Sequence, residues 1–165
     1  MNTLHRITTE YDSVEDRIRI TGELAENKKI CLWMTQRLLS CLIPHLFSWL
    51  QQKQSPSPEI NSILGFQQSE ALQKLDPSTP RVIADISSQS VMVLSIDLKM
   101  TDKWMQVCFK THDQAFAIPF TQLGLQQWLA IVFNTYQKAN WHFDQWPLWL
   151  TQPSAPNPFS VTTLH

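Results

Sequence analysis

Among the 165 residues, five histidines and three cysteines are the side chains best suited to hold a metal or attack a substrate. The histidines are His5, His45, His112, His142 and His165. None has a second ligand-type residue at zinc-like helical spacing, and His112-Asp113 falls in an expected turn, so no metal site is read from them. Cys31, Cys41 and Cys108 are far apart and form no C-x-x-C. They read as small apolar residues of a reducing, cytoplasmic protein. No G-x-S-x-G elbow occurs. The three glycines, Gly22, Gly65 and Gly124, are too scattered to build a phosphate-binding loop. Glu10, Asp12, Glu15, Asp16, Glu23 and Glu26 cluster near the first hairpin beside Arg17, Arg19, Lys28 and Lys29. That mixture reads as a solvated charged surface, not an acid–base pair. No catalytic constellation and no cofactor follow, so an enzyme with an unrecognised site is the least favoured reading.

The remaining chemistry is recognition. Period-2 alternation puts Cys31 and Trp33 opposite Ile30, Leu32 and Met34, and Trp104, Gln106, Cys108 and Lys110 opposite Met105, Val107 and Phe109. It likewise puts Arg17 and Arg19 opposite Ile18 and Ile20. One helix-free sheet face is expected to carry Trp33 and Trp104 beside Arg17, Arg19 and Lys110. A second sticky element is Trp141-His142-Phe143-Asp144-Gln145-Trp146-Pro147-Leu148-Trp149. Trp141, Trp146 and Trp149 are expected to anchor this segment on the protein's own sheet or on a second copy, because Trp and Arg dominate interface cores.

The elements that must position these groups repeat along the chain. Residues 30–47 and 116–133 share Thr35/Thr121, Gln36/Gln122, Leu39/Leu125 and Phe47/Phe133, an offset of 86. In both, an alternating stretch runs into a 3.6-period stretch, with a threonine placed to cap the helix. Helices are predicted over Gln36–Lys53, bent at Pro44, and over Gln122–Lys138. Upstream, His5–Tyr11 and Arg17–Leu24 read as strands in one half, Val91–Thr101 and Lys103–Thr111 in the other. Pro119 cannot donate to a ladder, so its strand is expected at an edge or bulge.

The fold class expected is α+β, with duplicated strand-strand-strand-helix units forming antiparallel sheet covered on one face by two helices. The units are residues 1–53 and 83–150. Residues 54–82, rich in Pro, Ser and Gln, read as a linker with a short helical turn near Ser69–Leu75, and residues 151–165 as a loose tail.

Apolar residues make up 43% of the chain and charged residues only 16%, against about 25% in an average protein. Thirteen basic and fourteen acidic residues give a net charge of −1, which disfavours a dedicated duplex binder. The run Leu38–Leu50 is too short and too interrupted to span a membrane, and the opening Met1–Arg6 has no apolar stretch of a secretory signal. The favoured function is a non-catalytic interaction or assembly module, a homodimer or the binder of a protein partner. The alternative is weak single-stranded nucleic-acid binding: the duplicated units resemble, by topology alone, the Whirly-type single-stranded DNA-binding fold. That resemblance implies base stacking on Trp33 and Trp104 with phosphates held by Arg17 and Arg19.

Overall fold

Thr35 and Thr121 mark the two points where a strand becomes a helix. The Thr35 hydroxyl accepts from the Leu38 N–H at 3.2 Å, and the Thr121 hydroxyl accepts from the Gly124 N–H at 3.1 Å. Each thus satisfies one of the donors left over in a helix's first turn. In the computed structural model, which describes residues 1–153, these caps open α1 (Gln36–Gln52) and α3 (Gln122–Ala139). Both helices lie within one residue of the predicted spans, and α1 runs uninterrupted through Pro44. Asn140 closes α3 in the left-handed conformation, φ 53° and ψ 35°, a common way to end a helix.

Before α1 come β2 (Arg6–Asp12), β3 (Arg17–Glu23) and β4 (Lys29–Met34); before α3 come β6 (Ser95–Met100), β7 (Trp104–Lys110) and β8 (Ala115–Thr121). Two short strands precede these triplets, β1 (Asn2–Thr3) and β5 (Gln89–Met92). The architecture is α+β, as expected, but the strands divide into two four-stranded mixed sheets instead of one antiparallel sheet. Their orders are β2-β3-β4-β5 and β1-β8-β7-β6. Each triplet is antiparallel, and each short strand crosses over to pair in parallel with the last strand of the other half.

The crossovers are built alike. The Leu4 N–H bonds Ala117 at 2.8 Å, and the next residue, His5, bonds Glu23 in the other sheet at 2.8 Å. In the second half, the Val93 N–H bonds Trp33 and the Leu94 N–H bonds Lys110. The stretch Val91–Thr101, read as one strand, is therefore broken at Val93–Leu94, where the chain changes sheets. Leu4 and Val93 are both buried at these passages. Leu4 lies over Gly22, where an added Cβ would stand 2.6 Å from the leucine Cδ2.

One continuous core joins the two halves. Ile18, Ile20, Leu32 and Met34 come from the first sheet, Met105, Val107, Phe109 and Phe116 from the second. The helices add Leu39, Ile43, Leu46, Leu125, Leu129 and Val132. α3 packs on β2 and α1 on β6, so each helix reaches the edge strand of the opposite sheet. The β1 ladder stops at Ala117, which leaves β8 a free edge at Pro119, as its missing N–H requires.

The linker is more ordered than its composition suggests. Instead of a turn at 69–75, it contains α2 (Ile60–Gln73), which packs on α3 and on the short α4 (Leu148–Thr151). Glutamine amides hold it there: Gln68 Nε2 donates to the Gln126 carbonyl and Gln127 Nε2 to the Ala71 carbonyl, both at 3.0 Å. Residues 75–84 then run as a strap along β2, pinned where the buried Val82 donates its N–H to Thr8 Oγ1 at 2.8 Å. Residues 154–165, most of the expected tail, lie outside the described residues.

Candidate interaction surface

The β-register of the first sheet determines which groups share its outer face. Ile18, Ile20, Leu32 and Met34 are wholly buried on the inner side, so Arg17, Arg19, Cys31 and Trp33 lie on the other, where the two arginines and Trp33 are half-buried and Cys31 is covered. Pairing then sets Glu10, Arg19, Trp33 and Met92 in one row across four strands, with Asp12 beside Arg17 in the next.

The row is organised. Trp33 Nε1 donates to Ser90 Oγ at 2.6 Å, which fixes the indole plane. The Arg19 guanidinium carbon lies 5.8 Å from the centre of that ring, within cation–π range. Arg19 also pairs with Glu10 at 3.2 Å, while Arg81 from the strap pairs with the other Glu10 oxygen. Arg17 lies 3.7 Å from Glu15. Each sheet arginine thus has a carboxylate within 4 Å. Arg19 Nε is buried and has no hydrogen-bond partner among the described residues.

Trp104 and Lys110 are not part of this face. They lie on β7, on the outer side of the second sheet, where Trp104 pairs across from Thr121 and Lys110 forms an ion pair with Asp97. Alternation says which way a side chain points within its strand but not which sheet the strand joins, so the single face read from the sequence is two. Trp104 is 39% exposed.

Trp146 and Trp149 pack in cis against the helices and not on a sheet face, whereas Trp141 lies between α3 and Tyr11 of β2. Trp146 meets Phe47 of α1 at 6.0 Å and Phe133 and Tyr136 of α3 at 5.2 Å each, all edge-on. Trp149 meets Phe47 at 5.6 Å and is 2% exposed. Trp141 stands edge-on to both Tyr11 and Tyr136 and donates its N–H to Asp16 at 3.0 Å. Such edge-to-face contacts add about 0.5–1.5 kcal/mol each beyond area burial. These tryptophans close the core.

No cluster of three His, Cys, Asp or Glu side chains able to hold a metal occurs among the described residues. Burial pushes the Cys108 thiol above its ordinary pKa, which suits a packing role better than a nucleophile's. No helix among the described residues is long and apolar enough to cross a membrane. Sequence reasoning missed three contributors to the outer face: Glu10, Ser90 and Arg81. The first was legible in principle, since a hairpin turning over Ser13–Asp16 sets Glu10 opposite Arg19; the strap carried no such signal. Compared with known proteins, the chain matches no family model, no curated protein and no solved structure.

Proposed function

We propose that the protein is a non-catalytic assembly module that pairs with a second copy of itself through the outer face of the β2–β5 sheet. The observation that carries this reading is the charge layout around Trp33. An acidic column, Glu10 and Asp12 on β2, runs beside a basic column, Arg17 and Arg19 on β3, with the half-buried indole next to it. A two-fold interface requires that residue i meet j while j meets i. Adjacent columns of opposite sign meet that requirement when the sheet is turned onto itself, each arginine exchanging part of its own carboxylate contact for one from the partner. Trp33, already oriented by Ser90, supplies the aromatic anchor such interfaces use.

The same layout argues against single-stranded nucleic acid as the partner. A phosphate approaching Arg17 or Arg19 meets Glu15 or Glu10 at each guanidinium, so few counterions would be released. Residues 141–149 are not offered as a contact surface, because their rings are occupied within the chain.

The test is the mass in solution by sedimentation equilibrium. A dimer is expected for the native chain, and Trp33→Ala should weaken it by at least tenfold, as loss of a central aromatic anchor does. Arg19→Glu should give monomer, since it sets a carboxylate beside Glu10 and breaks the basic column. A chain that is monomeric at all accessible concentrations would overturn the reading; a dimer indifferent to Trp33 and Arg19 would place the interface elsewhere.

A further inference from the structure

A cavity of about 270 Å³ lies between the strap and the outer face of β2 and β3, just below the volume of drug-sized sites, so its occupant is small. Glu10, Arg19 and Thr21 line its sheet side, and Arg81, Ile83 and Ala84 its strap side. The strap is fastened at both ends of this stretch. The Val82 N–H bonds Thr8 Oγ1 at 2.8 Å, and Asp85 pairs with Lys29 at 3.5 Å. The space is therefore shaped before anything enters it.

Its charge does not balance. The Glu10 carboxylate gives one oxygen to Arg19 and the other to Arg81, so two guanidiniums share one negative charge. No other charged residue lines the cavity, and Asp85, the next acid along the strap, is held by Lys29. One positive charge is left over. Both guanidiniums are within reach: the Arg19 and Arg81 side chains are 35% and 62% exposed, and each meets Glu10 through Nη2 alone. Beside them Thr21 is only 1% exposed, yet its hydroxyl forms no hydrogen bond among the described residues. A buried hydroxyl that lines a cavity and has no partner is a donor awaiting an acceptor.

We propose that this cavity binds a small aliphatic monocarboxylate. Its oxygens meet the Nη groups of Arg19 and Arg81 and the Thr21 hydroxyl, and its short chain lies against Ile83 and Ala84. Guanidiniums recognise planar carboxylates through directional, charge-assisted bonds. A single anionic charge matches the single surplus, whereas a dianion would bring a second charge up to Glu10. One enclosed surplus charge likewise offers little to a nucleic-acid chain, whose binding grows with the number of phosphates neutralised. The site shares Arg19 and Glu10 with the proposed dimer face but depends on Arg81 and Thr21, which that face does not use.

The experiment is a chemical-shift titration of the full chain, by nuclear magnetic resonance, with isobutyrate, isobutyramide and inorganic phosphate. Isobutyrate should bind saturably. Isobutyramide, which has the same shape without the charge, should bind at least about tenfold more weakly, as loss of charge-assisted bonds implies. Phosphate should also bind more weakly than isobutyrate. Arg81→Gln, at an exposed position of the strap, should weaken isobutyrate about fivefold or more, and the isosteric Thr21→Val about two- to fivefold. The Arg81→Gln chain should sediment as the native chain does, so that loss of this site and loss of the dimer are read separately. Absence of saturable isobutyrate binding, or binding that Arg81→Gln leaves unchanged, would overturn the site. Isobutyramide equal to isobutyrate, or phosphate tighter than it, would overturn the assignment of a monocarboxylate.

Discussion

Asp16 and Trp141, 125 residues apart in sequence, meet at 3.0 Å, where the carboxylate accepts the indole N–H. The same Oδ1 accepts a hydrogen bond from the Tyr11 hydroxyl at 2.8 Å. A hairpin turn near the start of the chain is thereby tied to the segment that follows its last helix. Asp16 itself is left-handed, φ 48°, a conformation Asp and Asn adopt more easily than Ala. Asp16→Ala is expected to lower stability by about 2 kcal/mol, through two lost hydrogen bonds and backbone strain. Asp16→Asn, which keeps an acceptor and the turn, should cost less than about 1 kcal/mol. Denaturant midpoints followed by tryptophan emission check both values.

The chain has only two tyrosines, and both resist ionisation. Tyr11 is raised first by its hydrogen bond to Asp16, then by burial and the nearby carboxylates. Tyr136 is raised by burial, partly offset by its bond to Ser40. A group whose folded pKa is raised adds stability that is complete below the unfolded value and fades as pH climbs through the folded one. Stability should therefore hold up to about pH 10, the ordinary tyrosine value, and fall above it. Phenolate absorbance of the native protein should rise later than that of the unfolded chain. Coincident curves would contradict the assigned environments.

Two glycines are expected to respond in opposite directions. At Gly22 an added methyl meets the packed Leu4 at 2.6 Å, so Gly22→Ala should cost about 1–3 kcal/mol as overpacking. At Gly124, in the first turn of α3, a methyl finds ordinary contacts, and Gly124→Ala should add about 0.5–1 kcal/mol by restricting the unfolded chain. Thermal melts of the two variants should bracket that of the native chain.

Thr35 and Thr121 cap α1 and α3 through the same bond, so their loss should weigh alike. Each Thr→Ala change is expected to cost about 1 kcal/mol, and the double variant about the sum, since distant sites add. A large difference between the single variants, read from denaturant midpoints, would mean that the two junctions carry different loads despite their matched geometry.

Those junctions were also the most legible part of the sequence. The switch from period 2 to period 3.6 at Thr35 and Thr121 is a local property, and it located both helices and the strands that feed them. What escaped was non-local. Val91–Thr101 alternates well enough to read as one strand, because nothing in it records that Val93 bonds one sheet and Leu94 the other. β1 has two residues and no pattern. α2 buries Gln68 and Ser69 while exposing Ile63 and Phe66, so its apolar stripe is blurred and its glutamines suggested a linker. Alternation gives a side chain its direction within one strand but is silent about which strands become neighbours, so Trp33 on β4 and Trp104 on β7 read as one face although their strands join different sheets.

The segment from Trp141 onward offers the most demanding test. Without it, Phe47 loses Trp146 and Trp149, Tyr136 loses Trp141, Phe143 and Trp146, and α2 loses its contacts with α4. Truncating one well-buried aromatic costs about 3–5 kcal/mol, and Trp149 alone meets that description. Since domains of this size lose about 2–4 °C per kcal/mol, a chain ending at Asn140 should melt roughly 10 °C lower or aggregate through the bared aromatic faces of α1 and α3. The dimer proposed through Trp33 does not use these rings, so truncated chains that remain folded at low temperature should still pair. A truncated protein with the native melting temperature would show that the aromatic packing contributes nothing to stability. If it melted lower and were also monomeric while well folded, the dimer contact would have to include the 141–149 segment, and the Trp33 face would lose its assignment.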